Sequence, residues 1–456
     1  MRSRISKVIT MEQTLGKRIL DLAIPATIEN VLQTLVGFVD TLFVSKIGLM
    51  AVTAVSVANS VLNVYLAIFI AVGVGTSSLV AQHMGAKQPE KAAVVARQST
   101  FLAILTGAVF GLITLLFGRP ILGLMGASAT VMVYSQTFFF VVGGASAFLS
   151  IMTIFGSILR ATGDTKTPMK VSIVVNLLNV GLDFILIFGL GPIPALGVLG
   201  TAIGTTISRA LGCIILYQRI QKSPVAFRMD EIFSISNFKP LINLSIPAAL
   251  ERLVMRVGQV VYFGLIVAIG AKTFAAHSVA GNIESFVYMP AYGLATAATT
   301  VVGASIGAND LVQAKKAAYL SAKYGVIFMS FLGVILFFGT PYFARLFTND
   351  ASAISQIVTA LRIDAFNQPG LAISLITTGS LQGMGDTKSP LYSTAIGMWG
   401  LRIIGVIGLG QYLGLGIAGV WLSIGIDLYI RSIYLSYKFR KNIRNMEQKK
   451  KEAILL

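Results

Sequence analysis

The sequence predicts an all-α membrane protein in which twelve transmembrane helices form two pseudo-symmetric six-helix bundles. Its 456 residues are 55% hydrophobic and only 12% charged, whereas a soluble globular chain carries roughly 25% charged residues. Apolar stretches long enough to cross a bilayer recur along the whole chain. Short motifs of the first half also return in the second half at one fixed spacing, which indicates an internal duplication.

Twelve apolar stretches of about 20 residues or more are the predicted spans, because a helix of that length crosses the hydrocarbon core of a bilayer. Lysine and arginine concentrate in alternate connections and at both ends of the chain, so the positive-inside rule places both termini in the cytoplasm. We expect a multi-pass protein of the cell (inner) membrane. The predicted spans are residues 17–45, 52–82, 92–118, 128–156, 168–190, 196–218, 240–268, 275–304, 316–339, 352–380, 390–411 and 415–436.

The spans divide into two predicted lobes. The longest polar interruption, near the middle of the chain, is interpreted as a cytoplasmic linker, and the lysine-rich end as a solvated tail held near anionic headgroups. A net charge of +18 would suggest nucleic acid in a soluble protein, but the alternate connections account for it here. We predict no nucleic-acid partner and no obligate protein partner. The predicted domains are an N-terminal segment (1–16), an N-lobe (17–220), the linker (221–239), a C-lobe (240–437) and the basic tail (438–456).

The duplication is visible in two pairs of motifs. LAIPATIEN (22–30) is similar to LSIPAALER (244–252), and GDTKTP (163–168) is similar to GDTKSP (385–390). In both pairs the second copy begins 222 residues after the first. Each predicted lobe has six spans, so the lobes share one topology and should be related by a pseudo-twofold axis along the membrane normal.

Pro25 and Pro247 occupy equivalent positions inside the first predicted helix of each lobe. Proline removes a backbone hydrogen bond and clashes with the preceding turn, so both helices should bend there. The bend is either a static kink or a hinge that moves, and the sequence leaves both interpretations open.

Nothing in the sequence predicts an enzyme, a cofactor or a metal centre. Gly303–Gly307 fits G-x-S-x-G, but that motif needs a preceding strand and an acid–histidine pair, and here it ends an apolar helix. No nucleotide-binding P-loop is present. One cysteine (Cys213) and two histidines are too few for a cysteine-cluster or zinc-hydrolase site.

Ionisable side chains inside predicted spans are costly and mark functional sites. Asn176, Asn179 and Asp183 share one face of the fifth predicted span. Asp40 and Asp183 each follow a proline by 15 residues, or about 22 Å along a helix, so the two carboxylates should lie at similar depth. Thr201, near the outer end of the sixth span, is expected to join them.

Two carboxylates close together in a low-dielectric setting cannot both remain ionised cheaply, so one should hold a proton or both should hold a cation. Either outcome makes an ion-coupling site, and the alternative is that Asp40 and Asp183 only bond to neighbouring helices. In the second half, Glu251 and Asp364 have arginines near them in sequence, namely Arg252, Arg256 and Arg362. Internal ion pairing and a second cation site are both open there.

Taken together, these motifs resemble those of the multidrug and toxic compound extrusion (MATE) family, and more its DinF-like branch than its NorM-like branch. The resemblance covers about residues 15–440 and includes VDTLFVSKIG (39–48) and NLLNVGLDFILIFGLG (176–191). It implies two six-helix lobes that face each other across a central cleft. It further implies export of lipophilic, often cationic compounds in exchange for H⁺ or Na⁺.

The resemblance also implies roles for particular residues. The positions that form an N-lobe ion site in DinF-like members match Asp40, Asn179, Asp183 and Thr201. The positions that belong to a C-lobe cation site in NorM-like members match Glu251 and Asp364. Because the arginines near these two acids should repel a metal cation, H⁺ is favoured over Na⁺ as the coupling ion.

The sequence therefore predicts an ion-coupled antiporter that exports lipophilic cations by alternating access. A Na⁺-coupled exporter remains open, as does a lipid-linked oligosaccharide flippase of the same superfamily, which would need a strongly cationic cleft. Adaptable methionine and aromatic side chains suit a pocket for varied substrates, although ordinary helix packing would also explain each of them. The predicted substrate chamber comprises Tyr134, Phe138, Met255, Tyr262, Met289 and Tyr292.

Overall fold

The computed structural model describes residues 2–233 and 237–455. Met1, residues 234–236 and Leu456, which fall in the predicted N-terminal segment, linker and tail, lie outside the described residues. Within the described ranges the chain forms helices and no β-strand, which confirms the predicted fold class. The α-helices are α1 (Arg2–Ile47), α2 (Leu49–Gly85), α3 (Pro89–Leu124), α4 (Ala129–Gly144), α5 (Ser146–Ala161), α6 (Lys166–Phe188), α7 (Val198–Ile220), α8 (Lys239–Ile269), α9 (Ala271–Val287), α10 (Met289–Gly307), α11 (Leu311–Arg345), α12 (Ala351–Gly383), α13 (Lys388–Ala395) and α14 (Ile417–Leu455). A 3₁₀ helix (Met229–Phe233) lies in the linker, and two π-helical segments (Ile396–Ile403 and Val406–Tyr412) follow α13.

All twelve predicted spans overlap helical structure. Nine described helices are long and apolar enough to cross a membrane, and a tenth span results if α4 and α5, which meet at a 48° bend, form one broken span. The predicted spans at 275–304 and 352–380 coincide with α9–α10 and α12, which are not among these helices. α9 is only 17 residues long, and polar side chains such as Arg362, Asp364 and Gln368 interrupt the apolar sequence of α12.

The chain divides into two compact units. The N unit comprises Ile28–Met84 and Gln88–Ala249, and the C unit comprises Met1–Thr27, Gly85–Lys87 and Leu250–Leu456. α1 therefore begins in the C unit and ends in the N unit, whereas α8 begins in the N unit and ends in the C unit. Both helices change unit two residues after an internal proline, Pro25 in α1 and Pro247 in α8.

The N unit is held together by two apolar clusters. One joins α2, α3, α5, α6 and α7 with Val225, Phe227 and Ile232 of the linker. The other joins α1, α2, α3, α4 and α7. The linker also forms an ion pair with α3, between Arg97 and Glu231 at 3.2 Å. The described part of the linker therefore packs on the N unit.

The C unit also has two apolar clusters. One brings Leu15 and Ile19 of α1 together with residues of α10, α11 and α12 and with Phe439 and Ile443 of α14. The other joins α8, α9, α11, α12 and α14 around the fully buried Trp421. The first cluster explains why the start of α1 belongs to this unit.

The basic end of the chain continues α14 as a helix, whereas the sequence indicated a solvated tail. Phe439 and Ile443, four residues apart, are buried, so one face of the extension packs on the C unit. Asn442 Nδ2 donates to Asp386 Oδ2 at 2.7 Å, and Lys450 Nζ donates to the backbone oxygen of Asn309 at 3.0 Å. The extension thereby contacts two of the turns that connect the helices of this unit.

Candidate ion-coupling site

α6 carries two side chains of the predicted ion site on one buried face. Asn179 Nδ2 donates to Asp183 Oδ1 at 3.2 Å and lies 3.5 Å from the hydroxyl oxygen of Thr205 in α7. Residues four apart are neighbours on an α-helix, which brings the amide and the carboxylate together. Asp183 is fully buried, so this hydrogen bond lies in a low-dielectric interior.

Glycines of α7 allow this helix to approach α6 closely. A Cβ at Gly200 would lie 2.5 Å from the backbone oxygen of Leu186, and a Cβ at Gly204 would lie 2.2 Å from Asp183 Oδ1. Both distances are shorter than real carbon–oxygen contacts. The Asp183 carboxylate therefore occupies space that any side chain at position 204 would need.

Three of the four predicted site residues have a buried oxygen without a hydrogen-bond partner in the described structure: Asp40 Oδ1, Asp183 Oδ2 and Thr201 Oγ1. Buried polar groups in proteins almost always have partners. The Asp40 and Asp183 carboxylates also repel each other electrostatically. Two acids with unsatisfied oxygens in one unit are chemically suited to hold a proton or a small cation.

Arg209 of α7 belongs to the same site, although the sequence analysis did not assign it there. Its side chain is partly buried, and it attracts the Asp40 carboxylate electrostatically. Thr201, Thr205 and Arg209 follow one another at four-residue intervals, so they lie on successive turns of one helix face. This four-residue spacing could have linked Arg209 to the predicted site from the sequence alone.

A different buried carboxylate joins two arginines in the C unit. Asp427 Oδ2 accepts from Arg402 Nη2 at 2.8 Å and from Arg431 Nη2 at 2.9 Å. The Thr394 hydroxyl accepts from Arg431 Nη1 at 3.2 Å and donates to Glu251 Oε1 at 3.1 Å. Glu251 is thereby tied to a network that the sequence did not predict.

Asp364 has different neighbours from Glu251. Gln368 Nε2 donates to Asp364 Oδ2 at 2.6 Å, while Asp364 Oδ1 is buried without a partner in the described structure. Glu284 of α9 repels the Asp364 carboxylate electrostatically. The described residues contain no group of three or more histidine, cysteine, aspartate or glutamate side chains that could hold a metal ion.

The arginines next to Glu251 and Asp364 in sequence form no ion pair with them within the described ranges. Arg362 lies over the ring of Phe337, 5.3 Å from its centroid, and Arg256 Nη1 donates to Gln259 at 3.1 Å. Side chains one or two positions apart on a helix do not face each other. Arg252 nevertheless attracts the Glu251 carboxylate electrostatically from beyond ion-pair distance, while Arg402 and Arg431 of the buried network pair with Asp427.

The six predicted chamber residues are divided between the two units. Phe138 of the N unit and Tyr262 of the C unit are buried in apolar clusters. Tyr134 and Tyr292 are 42% and 39% exposed, and Met255 and Met289 are partly buried. The two exposed tyrosines offer the larger contact surface for a ligand, while the two buried rings pack within the apolar clusters of their own units.

The MatE family model matches the chain twice, at residues 25–185 and 247–407. The second match begins and ends 222 residues after the first, the spacing of the repeated motifs. Together the matches cover more than half of the sequence. The chain belongs to the MATE family. It is therefore a multi-pass membrane transporter and not an enzyme.

Similar proteins extend over nearly the full length of this MATE-family chain. The probable multidrug resistance protein NorM of Thermotoga maritima is 30% identical over 443 residues, which cover 96% of each chain. The FAD transporter of Shewanella oneidensis is 25% identical over 434 residues, covering 93% of this chain and 94% of its own. A crystal structure of MATE in complex with MaL6 has a TM-score of 0.89 and 25% identity, covering 95% of this chain and 97% of that chain.

Proposed function

We propose that this transporter is an antiporter that exports lipophilic, often cationic compounds in exchange for H⁺, from an inner membrane in which both its termini are cytoplasmic. The observation that most directly supports this proposal is the pair Asp40 and Asp183 in the N unit. Each of these carboxylates has a buried oxygen that lacks a hydrogen-bond partner in the described structure. Because these carboxylates repel each other, a proton or a substrate cation relieves the same repulsion. The two ligands therefore compete for one site, which is the requirement for exchange.

The surroundings of this pair favour a proton over Na⁺. A sodium ion needs several oxygen ligands together, whereas Asn179 turns an amide N–H toward Asp183. The positive charge of Arg209 near Asp40 also disfavours a metal cation. A proton needs only one carboxylate, so we propose that the pair loads H⁺ from outside and releases it to the cytoplasm.

The substrate class is supported by the carboxylates and by similar proteins. Acidic groups select cations, and the exposed Tyr134 and Tyr292 with the partly buried Met255 and Met289 offer adaptable contact surfaces. The Thermotoga maritima protein is named a probable multidrug resistance protein, which favours small and varied organic substrates for this chain as well.

A lipid-linked oligosaccharide flippase is less well supported. Such a function needs free cationic side chains for the pyrophosphate group. Arg402 and Arg431 instead bond to Asp427, and Arg362 lies over an aromatic ring. These three arginines are therefore occupied by the protein itself.

We propose that α1 bends at Pro25 and α8 at Pro247, and that both bends change during alternating access. Asp40 lies on the same helix as Pro25, so protonation of Asp40 changes the charge carried by this helix. A ligand shifts a conformational equilibrium only by binding the two states differently. Protonation and substrate release would then act on one mobile element.

The decisive experiment measures ethidium transport by purified protein in sodium-free proteoliposomes under an imposed pH gradient. We expect the gradient to drive transport by the wild type, and Asp40→Asn and Asp183→Asn each to lower the initial rate at least tenfold. Asp230→Asn is the matched control, because Asp230 is an exposed linker acid paired with Arg228 at 3.0 Å.

Folding of each variant is checked by size-exclusion chromatography. Transport that requires Na⁺ and ignores the pH gradient would refute the proton assignment. Wild-type rates in a correctly folded Asp40→Asn variant would instead remove this site from the mechanism.

A further inference from the structure

A surface cavity of about 400 Å³ lies in the N unit where α5 ends, α6 begins and α7 ends. Its walls are the turn between α5 and α6 and the turn that follows α7. Ligand pockets in proteins usually have volumes of about 300–1,000 Å³, so this cavity has room for a small polar group. The charged and hydroxyl side chains that line it are those of Thr162, Asp164, Thr167, Arg219, Lys222 and Ser223.

The charged side chains of the cavity have unused bonding capacity. Arg219 and Lys222 form no side-chain hydrogen bond, and no ion pair within 4.0 Å, with any residue that the structure describes. Asp164 Oδ1 accepts from the backbone N–H of Thr167 at 2.9 Å, whereas Asp164 Oδ2 has no partner among the described residues. Two positive charges and one negative charge leave the cavity with a net positive charge at neutral pH.

The equivalent turn of the C unit is closed by the protein itself. Asp386 is the counterpart of Asp164 in the repeated GDTK motif, and its Oδ1 also accepts from a backbone N–H at 2.9 Å, that of Ser389. Asp386 Oδ2 accepts from Ser389 Oγ at 2.6 Å and from Asn442 Nδ2 at 2.7 Å, because α14 continues past this turn. α7 instead ends at Ile220, so it does not extend over the turn of the N unit.

The cavity lies at one surface of the membrane. α6 and α7 are both long and apolar enough to cross a bilayer, and the cavity borders the first turn of α6 and the last turn of α7. Lipid headgroups lie at that level. Val174 of α6 and Leu211 of α7 are exposed and lie about two helical turns, or about 11 Å, from the cavity along their helices. Apolar side chains are therefore available beside it for acyl chains.

We propose that this cavity binds the headgroup of an anionic phospholipid in which a phosphodiester is joined to a hydroxyl-bearing group, as in phosphatidylglycerol. Arg219 and Lys222 bind the phosphate, because guanidinium and ammonium groups form charge-assisted hydrogen bonds with phosphate oxygens. A headgroup hydroxyl donates to Asp164 Oδ2.

The charge of the cavity selects this kind of lipid. A phosphodiester carries one negative charge, which balances the net charge of the two bases and the acid. A phosphate monoester carries between one and two negative charges at pH 7, so the Asp164 carboxylate repels it more strongly. α6 separates the cavity from Asp183 by about 25 Å along the helix axis. The inference therefore depends neither on the ion-coupling site nor on the proposed export function.

Native mass spectrometry of the purified full-length protein in detergent measures lipid binding directly. The protein is titrated with phosphatidylglycerol, with phosphatidylcholine, which has no headgroup hydroxyl and no net charge, and with phosphatidic acid, a phosphate monoester. The cavity variant combines Arg219→Gln with Lys222→Gln. The matched control combines Arg228→Gln with Lys239→Gln, because these exposed cations of the N unit do not line the cavity. Size-exclusion chromatography checks the folding of each variant.

We expect the wild type to bind phosphatidylglycerol more tightly than phosphatidylcholine, and the cavity variant to reduce this preference by about tenfold or more, because two charge-assisted contacts are lost. The control variant should keep the preference. An unchanged preference in the cavity variant would overturn the proposal. Equal losses in the two variants would also overturn it, because the lipid would then respond only to the net charge of the protein.

Asp164→Asn tests the selection among anionic lipids. It removes the negative charge and keeps an oxygen that can accept from the Thr167 N–H. We expect it to strengthen phosphatidic acid binding relative to phosphatidylglycerol, and an unchanged ratio would refute the role of Asp164. Excess inorganic phosphate should leave phosphatidylglycerol bound to the wild type. Displacement of the lipid by phosphate would overturn the headgroup assignment in favour of a free anion.

Discussion

Gly204 brings the backbone of α7 against the Asp183 carboxylate. A Cβ at this position would lie 2.2 Å from Asp183 Oδ1 and 3.4 Å from its Cγ. The carboxylate is fully buried and already bonded to Asn179. The geometry of the ion-coupling site therefore depends on a residue without a side chain.

Gly204→Ala should displace the Asp183 carboxylate and lower transport driven by the pH gradient at least tenfold in a folded protein. Gly181→Ala in α6 is the matched control, because an added Cβ there meets no atom within 4 Å. Alanine at position 181 should stabilise its helix by roughly 0.5–1 kcal/mol. Initial rates and thermal unfolding are measured for both variants, and equal transport by the two would contradict the prediction.

Site geometry was predictable where it follows from spacing along one helix. Asn179 and Asp183 were expected on one face of α6, and they form a 3.2 Å hydrogen bond. The pairing of Asp427 with Arg402 was not predictable, because it joins positions outside one continuous helix. Which faces of two helices meet is decided by packing, and a single sequence does not encode that choice locally.

α1 is anchored on both sides of its proline. Before Pro25, a Cβ at Gly293 of α10 would lie 2.6 Å from the backbone oxygen of Ala23, so the two helices touch through their backbones. After Pro25, Glu29 accepts from Arg160 Nη1 at 3.1 and 3.2 Å. The first anchor belongs to the C unit and the second to the N unit. The helical turn with the missing hydrogen bond lies between them.

Pro25→Ala should restore that hydrogen bond and make α1 straighter and stiffer, since proline inside a helix costs about 3 kcal/mol. We expect higher thermal stability and an initial transport rate at least tenfold lower. Pro120→Ala is the matched control, because Pro120 lies inside α3, which lies entirely within the N unit. Unchanged transport in Pro25→Ala would mean that the bend is static.

The positions of the helices were predictable, but their interruptions were not. The stretch predicted as one span at 128–156 is divided into α4 and α5 at Ala145, with a 48° bend. No proline marks this break, and an apolar sequence looks alike in a straight and a bent helix. The π-helical segments after α13 were missed for the same reason, because their side chains are as apolar as those of an α-helix.

The two units exchange the first segments of their leading helices, and the predicted lobe bounds did not include this exchange. The N unit contains the start of α8, in which Leu241 is fully buried. A Cβ at Gly75 of α2 would lie 2.6 Å from Ser245 Oγ of α8. The duplication predicted two similar halves, but the division of α1 and α8 depends on contacts between distant parts of the chain.

Two half-chains cut between Asn237 and Phe238 should therefore each fail to form a stable unit, while co-expression should restore folded protein. The first half lacks the start of α8, and the second lacks the start of α1. Size-exclusion chromatography of fluorescently tagged fragments measures this directly, with the uncut chain as the reference. A single half that elutes as a stable, monodisperse species would contradict the prediction.

Because the start of α1 belongs to the C unit, the packing around it is completed late in synthesis. Leu15 and Ile19 are made long before Phe439 and Ile443, yet the four side chains belong to one apolar cluster. A chain stalled before α14 would leave this cluster incomplete. Synthesis of α14 is thus the step that completes the apolar cluster around the start of α1.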